Sequence, residues 1–322
     1  MPSKSPFVEI EVDDRVIRVS NPDRIYFPAI NATKHDLVDY YLAVGPGIVN
    51  ALYERPCMLH RFPKGVLGEP DEKVHQKRIP SGAPDWVETV ELFFPRWKRT
   101  ADELCVTELG SVIWAVQMST VEFHPWNTRR TVVESPDEWR IDLDPGPACD
   151  YARIRRVAHV VHEVLDDLGA VGYPKTRAAK DPHLCPDQAR ARLPGRTPRG
   201  PRVRPRGRRR APSEVTTAWW KKDRDPGAVF VDYNQNTRDH TIASAYSVRG
   251  SRRPVSTPIR WDEVDEADPR DFTILTVPKR FAALGDLHAE IDDHVFDITP
   301  LLEWADRDQR DDRDERAERS DG

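Results

Sequence analysis

Apolar and polar residues alternate along several short segments of the chain, a pattern typical of half-buried β-strands. Residues 7–18 alternate around a central polar pair and predict a β-hairpin. Residues 139–144 and 228–234 alternate in the same way and predict two further strands. We also expect a strand over residues 242–248, where small and apolar side chains are interleaved.

Other segments carry apolar residues at helical spacing. Thr33 followed three residues later by Asp36 predicts the capped start of a helix. Asp150 predicts the start of a second helix, whose apolar face is formed by Ile154, Val157, Val161, Val164 and Leu168. The apolar stretch 104–119 predicts a strand followed by a buried helix. Because strands and helices alternate along the chain, we expect an α/β (α+β) fold.

The charge is unevenly distributed along the sequence. The 322 residues include 49 Lys+Arg and 54 Asp+Glu, which gives a net charge of −5. Ten arginines and no other charged residue lie from Arg190 to Arg210, so the rest of the chain carries −15. Residues 306–322 are almost wholly charged and lack aromatic side chains, which predicts a disordered tail.

Cysteine and hydropathy patterns exclude several classes of protein. The four cysteines are widely spaced and form no Cys-x-x-Cys pair, so they indicate neither a disulfide framework nor a zinc site. No apolar run approaches the roughly 18 residues typical of a membrane span, and the N-terminus lacks a signal-peptide pattern. We therefore expect a cytoplasmic protein without a membrane partner.

Two aspartates within the strand predicted over residues 139–144 are the first candidate for chemistry. Because side chains alternate along a strand, Asp142 and Asp144 project from the same face. Paired carboxylates bind hard divalent cations such as Mg²⁺ and Mn²⁺. A third carboxylate commonly completes such a site, and Asp232 at the end of another strand is the best-placed candidate. An ordinary polar face of a surface strand is the alternative.

Several motifs occur together with these aspartates in a fixed order along the chain. They are His124-Pro125-Trp126, Arg61-Phe62-Pro63-Lys64-Gly65, Gln76-Lys77, Asp142-Leu143-Asp144-Pro145, Thr216-Thr217-Ala218-Trp219-Trp220, Val231-Asp232-Tyr233 and Val255-Ser256-Thr257-Pro258. Together they resemble the polymerase domain of bacterial ligase D, which belongs to the archaeo-eukaryotic primase superfamily. The resemblance covers roughly residues 6–305.

The resemblance implies a fold and an activity. The fold would be a primase-like polymerase domain over residues 1–305, with mixed and antiparallel central sheets flanked by helices. The activity would be DNA-dependent nucleotidyl transfer in non-homologous end joining, which fills gaps and ends with ribo- or deoxynucleotides (NTP or dNTP). Asp142, Asp144 and Asp232 would be catalytic and would hold two divalent ions, Mn²⁺ or Mg²⁺. The partners would be DNA with a 5′-phosphate, the Ku protein and a separate ligase, at the nucleoid.

The resemblance also implies residues that bind the substrates. Those matching nucleotide-binding positions are His124, Gln235 and Arg249, and those matching a 5′-phosphate site are Arg24 and Lys34. His124 could instead be a buried structural histidine, and Arg24 and Lys34 could be solvated loop charges. The template would contact His75, Gln76 and Lys77. The family often has two phenylalanines before Gln-Lys, whereas Val74-His75 stands here, which predicts weaker base stacking.

One motif of the family is missing. A Ser-Gly-x-x-Gly-x-His sequence should follow Thr176, but residues 177–211 are rich in Arg and Pro, and only Lys180 and His183 fall at motif positions by count. The segment therefore predicts loss of a strand and a helix, and impaired activity. It could be a disordered insertion, a basic DNA-binding arm or a frameshift in the gene, since codons for residues 180–188 shifted by one base permit an alternating strand that contains a histidine.

Two other functions compete with polymerase activity. The first is a non-catalytic module that binds DNA ends and recruits Ku or a ligase. The second is a metal-dependent phosphodiesterase that uses the same carboxylates to hydrolyse DNA. Extension of a primer separates both alternatives from the polymerase.

Overall fold

The structure, a computed structural model, describes residues 5–67, 73–177, 185–192, 210–211, 213–218, 220–232, 234–250, 254–297, 299–300 and 303. Lys180, His183 and the charged tail 306–322 lie outside these residues, as does most of the segment 177–211. The division of the chain into one domain over 1–305 and a separate tail therefore stays a prediction.

The described residues form a mixed α/β architecture in which the strands pair mainly in antiparallel fashion, as the sequence predicted. The strands are β1 Phe7–Val12, β2 Arg15–Ser20, β3 Ile25–Phe27, β4 Ala32–Thr33, β5 Pro56–Arg61, β6 Val74–Gln76, β7 Thr89–Phe94, β8 Arg99–Cys105, β9 Thr120–Pro125, β10 Glu138–Pro145, β11 Tyr173–Arg177, β12 Cys185–Arg192, β13 Val215–Thr216 and β14 Val229–Asp232. The α-helices with described bounds are α1 Lys34–Ala43, α2 Gly45–Leu52, α3 Leu109–Gln117, α4 Tyr151–Asp167 and α5 Val277–Leu284. Across the part of the chain that is described, no helix is both long and apolar enough to cross a bilayer.

Two five-stranded sheets form the centre of the fold. In the first sheet the order is β6-β5-β8-β7, with β9 also paired to β5. In the second sheet the order is β11-β12-β10-β14-β13, and only the β13–β14 pair is parallel. Helices α1, α2 and α3 contribute to the core of the first sheet, and α4 contributes to the core of the second. The strand that carries Asp142 and Asp144 is thus central in its sheet.

The local signals in the sequence explain where several elements begin and end. The hairpin β1–β2 turns at Asp13, whose φ of 51° lies in the left-handed region that aspartate tolerates. Helix α1 begins after Thr33 with the predicted capping box to Asp36. Helix α4 begins after Asp150, whose side chain accepts a 2.6 Å hydrogen bond from the Arg153 N–H. These predictions are confirmed.

Strand β10 separates an apolar face from a charged face. Its apolar side chains pack with α4 in the second core: Trp139, Ile141 and Leu143. Its other face carries buried charged groups: Glu138, Arg140 and Asp142. Burying charges is costly unless they are paired, so this face requires specific partners. The alternation predicted from the sequence therefore positions the candidate site on the face away from α4.

The strand predicted over residues 242–248 is wrong. The segment is buried, but Tyr246 has a φ of 61°, which a β-strand does not allow. Its backbone N–H groups donate to partners on different segments, Ser244 to the Phe123 carbonyl and Tyr246 to the Ser256 carbonyl. Burial of a turn, rather than pairing in a sheet, explains the apolar residues. The strand predicted over 228–234 is real but ends at Asp232.

Strand β12 corrects another expectation. The sequence predicted that the strand after Thr176 is lost, yet residues 185–192 pair with both β10 and β11. The register shifts between Lys175 and Thr176, opposite Pro186, which has no N–H to donate to the ladder. Pairing on both sides supplies backbone hydrogen bonds without the apolar alternation that sequence analysis relies on.

Candidate functional site

Three carboxylates converge where β10 and β14 pair. Asp142 lies directly opposite Asp232 in the antiparallel register, and Asp144 lies two residues further along the same face. One carboxylate oxygen of each residue lies within 4.8 Å of those of the other two. Asp142 is buried, whereas Asp144 and Asp232 are partly exposed. An all-oxygen group of this kind suits hard divalent cations, so the donor chemistry fits Mg²⁺ or Mn²⁺.

The segment after β14 is held by two side chains, one bonded to β10 and the other to Asp232 at the end of β14. Asn236 is buried, and its side-chain amide accepts from the Arg140 N–H and donates to the Arg140 carbonyl, both at 2.7 Å. Gln235 donates from Nε2 to Asp232 Oδ2 at 2.9 Å. Gln235, which the resemblance assigned to nucleotide binding, therefore contacts one of the three carboxylates directly.

Residues from several separate segments of the chain line a cleft beside Asp142. His124, Gln235 and Arg249, the three described residues assigned to the nucleotide, all line it. The fold thus brings together residues that the resemblance assigned to one ligand. Their roles stay predictions. The other two assigned residues, Lys180 and His183, lie outside the described residues.

Lys175 is a cleft residue that sequence analysis missed. It is 1% exposed and its Nζ donates to Ser256 Oγ at 2.6 Å. Ser256 in turn donates to the Thr176 carbonyl at 3.1 Å. The ammonium group thus belongs to a buried hydrogen-bonded chain and also lines the cleft with Asp142. Its only sequence signal was its place just before the expected motif. A cation there would help to neutralise phosphate oxygens.

A second buried group surrounds Glu122 on β9. His60 Nδ1 and His124 Nε2 both lie 2.8 Å from Glu122 Oε2, and Arg249 Nη1 lies 3.7 Å from the same atom. Burial opposes ionisation of Glu122, but Arg249 and the two histidines outweigh it and hold its pKa well below the usual range. Burial lowers the pKa of His124 to about 3 despite its hydrogen bond to Glu122, so this ring is neutral at pH 7.

His60, Glu122 and His124 are residue types that can bind a metal. One donor atom of each lies within 4.8 Å of those of the other two. Both carboxylate oxygens of Glu122 are already engaged, however. Oε1 accepts from the Gly250 N–H at 2.8 Å, and Oε2 faces the Arg249 guanidinium. A divalent cation would be repelled by Arg249 at this short distance. The arrangement favours Glu122 as an anchor for His124 and Arg249 at the wall of the cleft.

Comparisons with known proteins place this geometry in a family. The sequence profile of the LigD primase-polymerase domain matches residues 33–288, most of the chain. The chain belongs to the LigD primase-polymerase family. The polymerase domain of ligase D from Mycobacterium tuberculosis, solved in complex with DNA, superimposes with a TM-score of 0.77 at 27% identity, covering 87% of this chain and 99% of that one.

Curated relatives of this LigD primase-polymerase chain are much longer proteins. The multifunctional non-homologous end joining protein LigD of Mycolicibacterium smegmatis is 30% identical over 280 residues, covering 86% of this chain and 36% of that protein. LigD of Pseudomonas aeruginosa is 29% identical, covering 84% and 32% respectively. The chain therefore spans about a third of the length of these relatives.

Two cations that the resemblance assigned to a 5′-phosphate lie side by side in this LigD primase-polymerase chain. The Lys34 N–H donates to the Arg24 carbonyl at 2.8 Å. Arg24 is exposed and its Nη1 donates to the Pro63 carbonyl at 2.7 Å. Lys34 is buried, and its Nζ donates to the Ser20 carbonyl and to the carbonyl and side chain of Gln117 at 2.7–3.0 Å. This arrangement leaves Arg24 accessible to a phosphate and favours a structural role for Lys34.

We expect the pH dependence of unfolding to differ between the wild type and Lys34→Met. Burial, assisted by nearby Arg24, lowers the pKa of Lys34 from 10.5 to about 8. The folded chain therefore releases this proton at a lower pH than the unfolded chain. Relative to Lys34→Met, wild-type stability is constant below about pH 8 and rises by about 2–3 kcal/mol as the pH approaches 10.5. Urea unfolding of both proteins across this pH range measures the difference in their free energies of unfolding. A difference that does not change with pH would contradict the prediction.

The residues assigned to the template lie on and just after β6. His75 stacks on His60, with ring centroids 4.4 Å apart. Gln76 accepts from Arg61 Nη1 at 2.6 Å, which ties β6 to the end of β5. Lys77 places its Nζ 4.3 Å from the centre of the Phe94 ring. Gln76 thus holds β6 in place, whereas His75 and Lys77 also line a groove beside the first sheet.

Proposed function

We propose that this chain is a DNA-dependent nucleotidyltransferase of bacterial non-homologous end joining, which fills gaps and extends ends with ribo- or deoxynucleotides. Membership of the LigD primase-polymerase family supports a primase-polymerase role in general terms. One observation carries the finer proposal, the convergence of three carboxylates within 4.8 Å beside a cleft lined by cations.

Asp142, Asp144 and Asp232 would hold two divalent ions, Mn²⁺ or Mg²⁺. When bound, such ions activate a primer 3′-hydroxyl and stabilise the departing pyrophosphate. Lys175 and Arg249 would neutralise the triphosphate from the cleft wall, and Gln235 would orient Asp232 through their hydrogen bond. His124, neutral at pH 7, would bind the nucleotide through hydrogen bonds rather than charge. The protein would act mainly by positioning and electrostatic stabilisation.

The DNA substrate we propose is an end or gap with a 5′-phosphate. Arg24 is the more accessible of the two predicted phosphate contacts, and a guanidinium can bind phosphate through two parallel hydrogen bonds. Ku and a DNA ligase would be the partners, since nucleotidyl transfer alone leaves the final nick unsealed. The chain would then act at the nucleoid.

A non-catalytic module that binds DNA ends is the second candidate function. The observation that favours it is the absence from the sequence of the Ser-Gly-x-x-Gly-x-His motif after Thr176. If residues 177–211 result from a sequencing error, resequencing of those codons will show a different open frame. An unchanged frame in independent reads would exclude a sequencing error and leave a true frameshift, an insertion or a basic arm.

Primer extension tests the proposal directly. The substrate is a gapped duplex with a labelled primer and a 5′-phosphate across the gap, incubated with ribonucleotides and Mn²⁺. We expect template-directed extension, weaker than that of relatives that retain the motif, and faster with the 5′-phosphate than without it. DNA binding without any extension would support the end-binding module instead. Shortening of the labelled strand without nucleotides would identify a phosphodiesterase.

A further inference from the structure

Strand β14 ends at the group of three carboxylates. Asp232 is its last residue, and the short 3₁₀ turn Asn234–Asn236 follows. Asp142 lies opposite Asp232 in the antiparallel register. The next pair of the same orientation lies two residues further on and would place residue 234 opposite Arg140, but the backbone has left the strand there. Because the end of a strand opens more easily than its middle, the position of Asp232 depends on what closes the ladder at this point.

The side-chain amide of Asn236 supplies the missing pair. Its oxygen accepts a hydrogen bond from the Arg140 N–H, and its nitrogen donates to the Arg140 carbonyl, both at 2.7 Å. These are the two backbone groups that a neighbouring strand bonds in an antiparallel ladder. Asn236 is 2% exposed and Arg140 is fully buried, so water cannot replace either bond. The side chain therefore continues the ladder one pair beyond Asp142, although the backbone has turned away.

Arg140 is a firmly held anchor for this contact. Its guanidinium donates to the carbonyls of Pro125 and Trp126 at 2.7 Å, at the end of β9 in the other sheet. It also donates to the Glu138 carboxylate at 2.9 Å. On its other edge, the backbone of Arg140 pairs with β12. Arg140 is thus fixed independently of β14, and Asn236 transfers this fixed position to the segment that follows Asp232.

The same turn brings Gln235 back to the carboxylates. Residues three apart in an extended strand lie about 10 Å from each other along the chain. Gln235 follows Asp232 by three residues, yet its Nε2 donates to Asp232 Oδ2 at 2.9 Å. The turn that permits this contact ends at Asn236, whose amide bonds it to β10. Asn236 therefore supports both the end of β14 and the approach of Gln235 to Asp232.

We propose that Asn236 is a positioning residue for the metal site formed by the three carboxylates. By closing the ladder beyond Asp142, its amide sets the separation between Asp142 and Asp232 on their two strands. Residues that orient metal ligands without binding the metal commonly contribute about 10- to 100-fold to metal affinity or activity. The inference rests on the proposed polymerase function and names the residue that keeps the carboxylates of its site in register.

Mn²⁺ binding to the full chain, measured by electron paramagnetic resonance, tests this role. We expect Asn236→Ala to weaken Mn²⁺ binding by about 10- to 100-fold. At saturating Mn²⁺ we expect kcat for primer extension to fall by a similar factor, while the KM for nucleotide changes by less than about 3-fold because the cleft wall is retained. Asn236→Asp adds a negative charge, but its carboxylate cannot donate to the Arg140 carbonyl. It should bind Mn²⁺ more weakly than the wild type, whereas charge alone would tighten binding.

Asn50→Ala is the matched control for loss of a side-chain amide. Asn50 is a half-buried residue of α2, and its Nδ2 donates to the Asp286 carboxylate and the His288 carbonyl at 3.0 and 3.2 Å. These contacts belong to the part of the fold around the first sheet rather than to β10 or β14. We therefore expect Asn50→Ala to lower the free energy of unfolding in urea and to leave Mn²⁺ affinity unchanged.

The outcomes separate the positioning role from the enzymatic proposal. Wild-type Mn²⁺ affinity in a folded Asn236→Ala protein would overturn the positioning role. Equal losses of Mn²⁺ affinity in Asn236→Ala and Asn50→Ala would also overturn it, since they would trace the effect to stability. If Asn236→Ala does not fold, Asn236→Asp decides, and unchanged or tighter Mn²⁺ binding by that variant overturns the role. Absence of extension by a wild type whose Mn²⁺ affinity depends on Asn236 would refute the polymerase proposal and leave the positioning role standing.

Discussion

Replacing Asp142 with asparagine is expected to reduce metal-dependent primer extension by about 10³-fold or more. Asp142 is the buried member of the three carboxylates and lies directly opposite Asp232, so it would be one of the residues that hold the divalent ions. Asparagine keeps the shape and one oxygen but removes the negative charge that offsets a divalent cation. The loss of activity should therefore come with weaker Mn²⁺ binding rather than with unfolding.

Mn²⁺ binding measured by electron paramagnetic resonance gives a readout that does not depend on activity. Asp166→Asn is a suitable control, since Asp166 is an exposed carboxylate on α4, remote in sequence from the three. We expect the control to match the wild type in Mn²⁺ binding and in extension. Unchanged Mn²⁺ affinity in a folded Asp142→Asn protein would show that the carboxylates do not form the metal site.

The part of this site that could be predicted from sequence follows from local periodicity and order along the chain. The two-residue spacing of Asp142 and Asp144 within an alternating segment fixes their shared face before any partner strand is known. The helix after Asp150 is equally local, because its cap and apolar face lie within one segment. Asp232 could be named only as the best-placed carboxylate on another strand, and the order of motifs then supported it, since nothing in the sequence of β10 specifies which strand pairs with it.

The parts that sequence analysis missed depend on partners distant along the chain. Lys175 is buried because its strand meets Ser256, 81 residues later. Glu122 acquires its low pKa from Arg249, which lies on a different segment. The segment 242–248 has the apolar pattern of a strand, but its hydrogen bonds go to single residues elsewhere. Strand β12 shows the converse, because its two neighbours pair with a sequence that has no apolar alternation.

A buried ion-pair network lies on the charged face of β10, next to the carboxylates. Arg140 is fully buried, and its Nε donates to Glu138 Oε2 at 2.9 Å. Its two Nη atoms donate to the carbonyls of Pro125 and Trp126 at 2.7 Å, which links β10 in the second sheet to the end of β9 in the first. Arg55 pairs with Glu138 from the other side at 2.9 Å. Every acceptor in this network is buried.

Arg140→Met is therefore expected to lower the free energy of unfolding by about 3–5 kcal/mol. Methionine fills similar volume, but it leaves Glu138 with one cation instead of two and two buried carbonyls without donors. Arg156→Met is the matched control. Arg156 pairs with Glu214 at 2.7 Å but is half exposed, so water screens the pair and its loss should change the free energy of unfolding little. Urea unfolding followed by circular dichroism measures the free energy of unfolding of both variants. Equal losses of stability would contradict a stabilising role for the buried network.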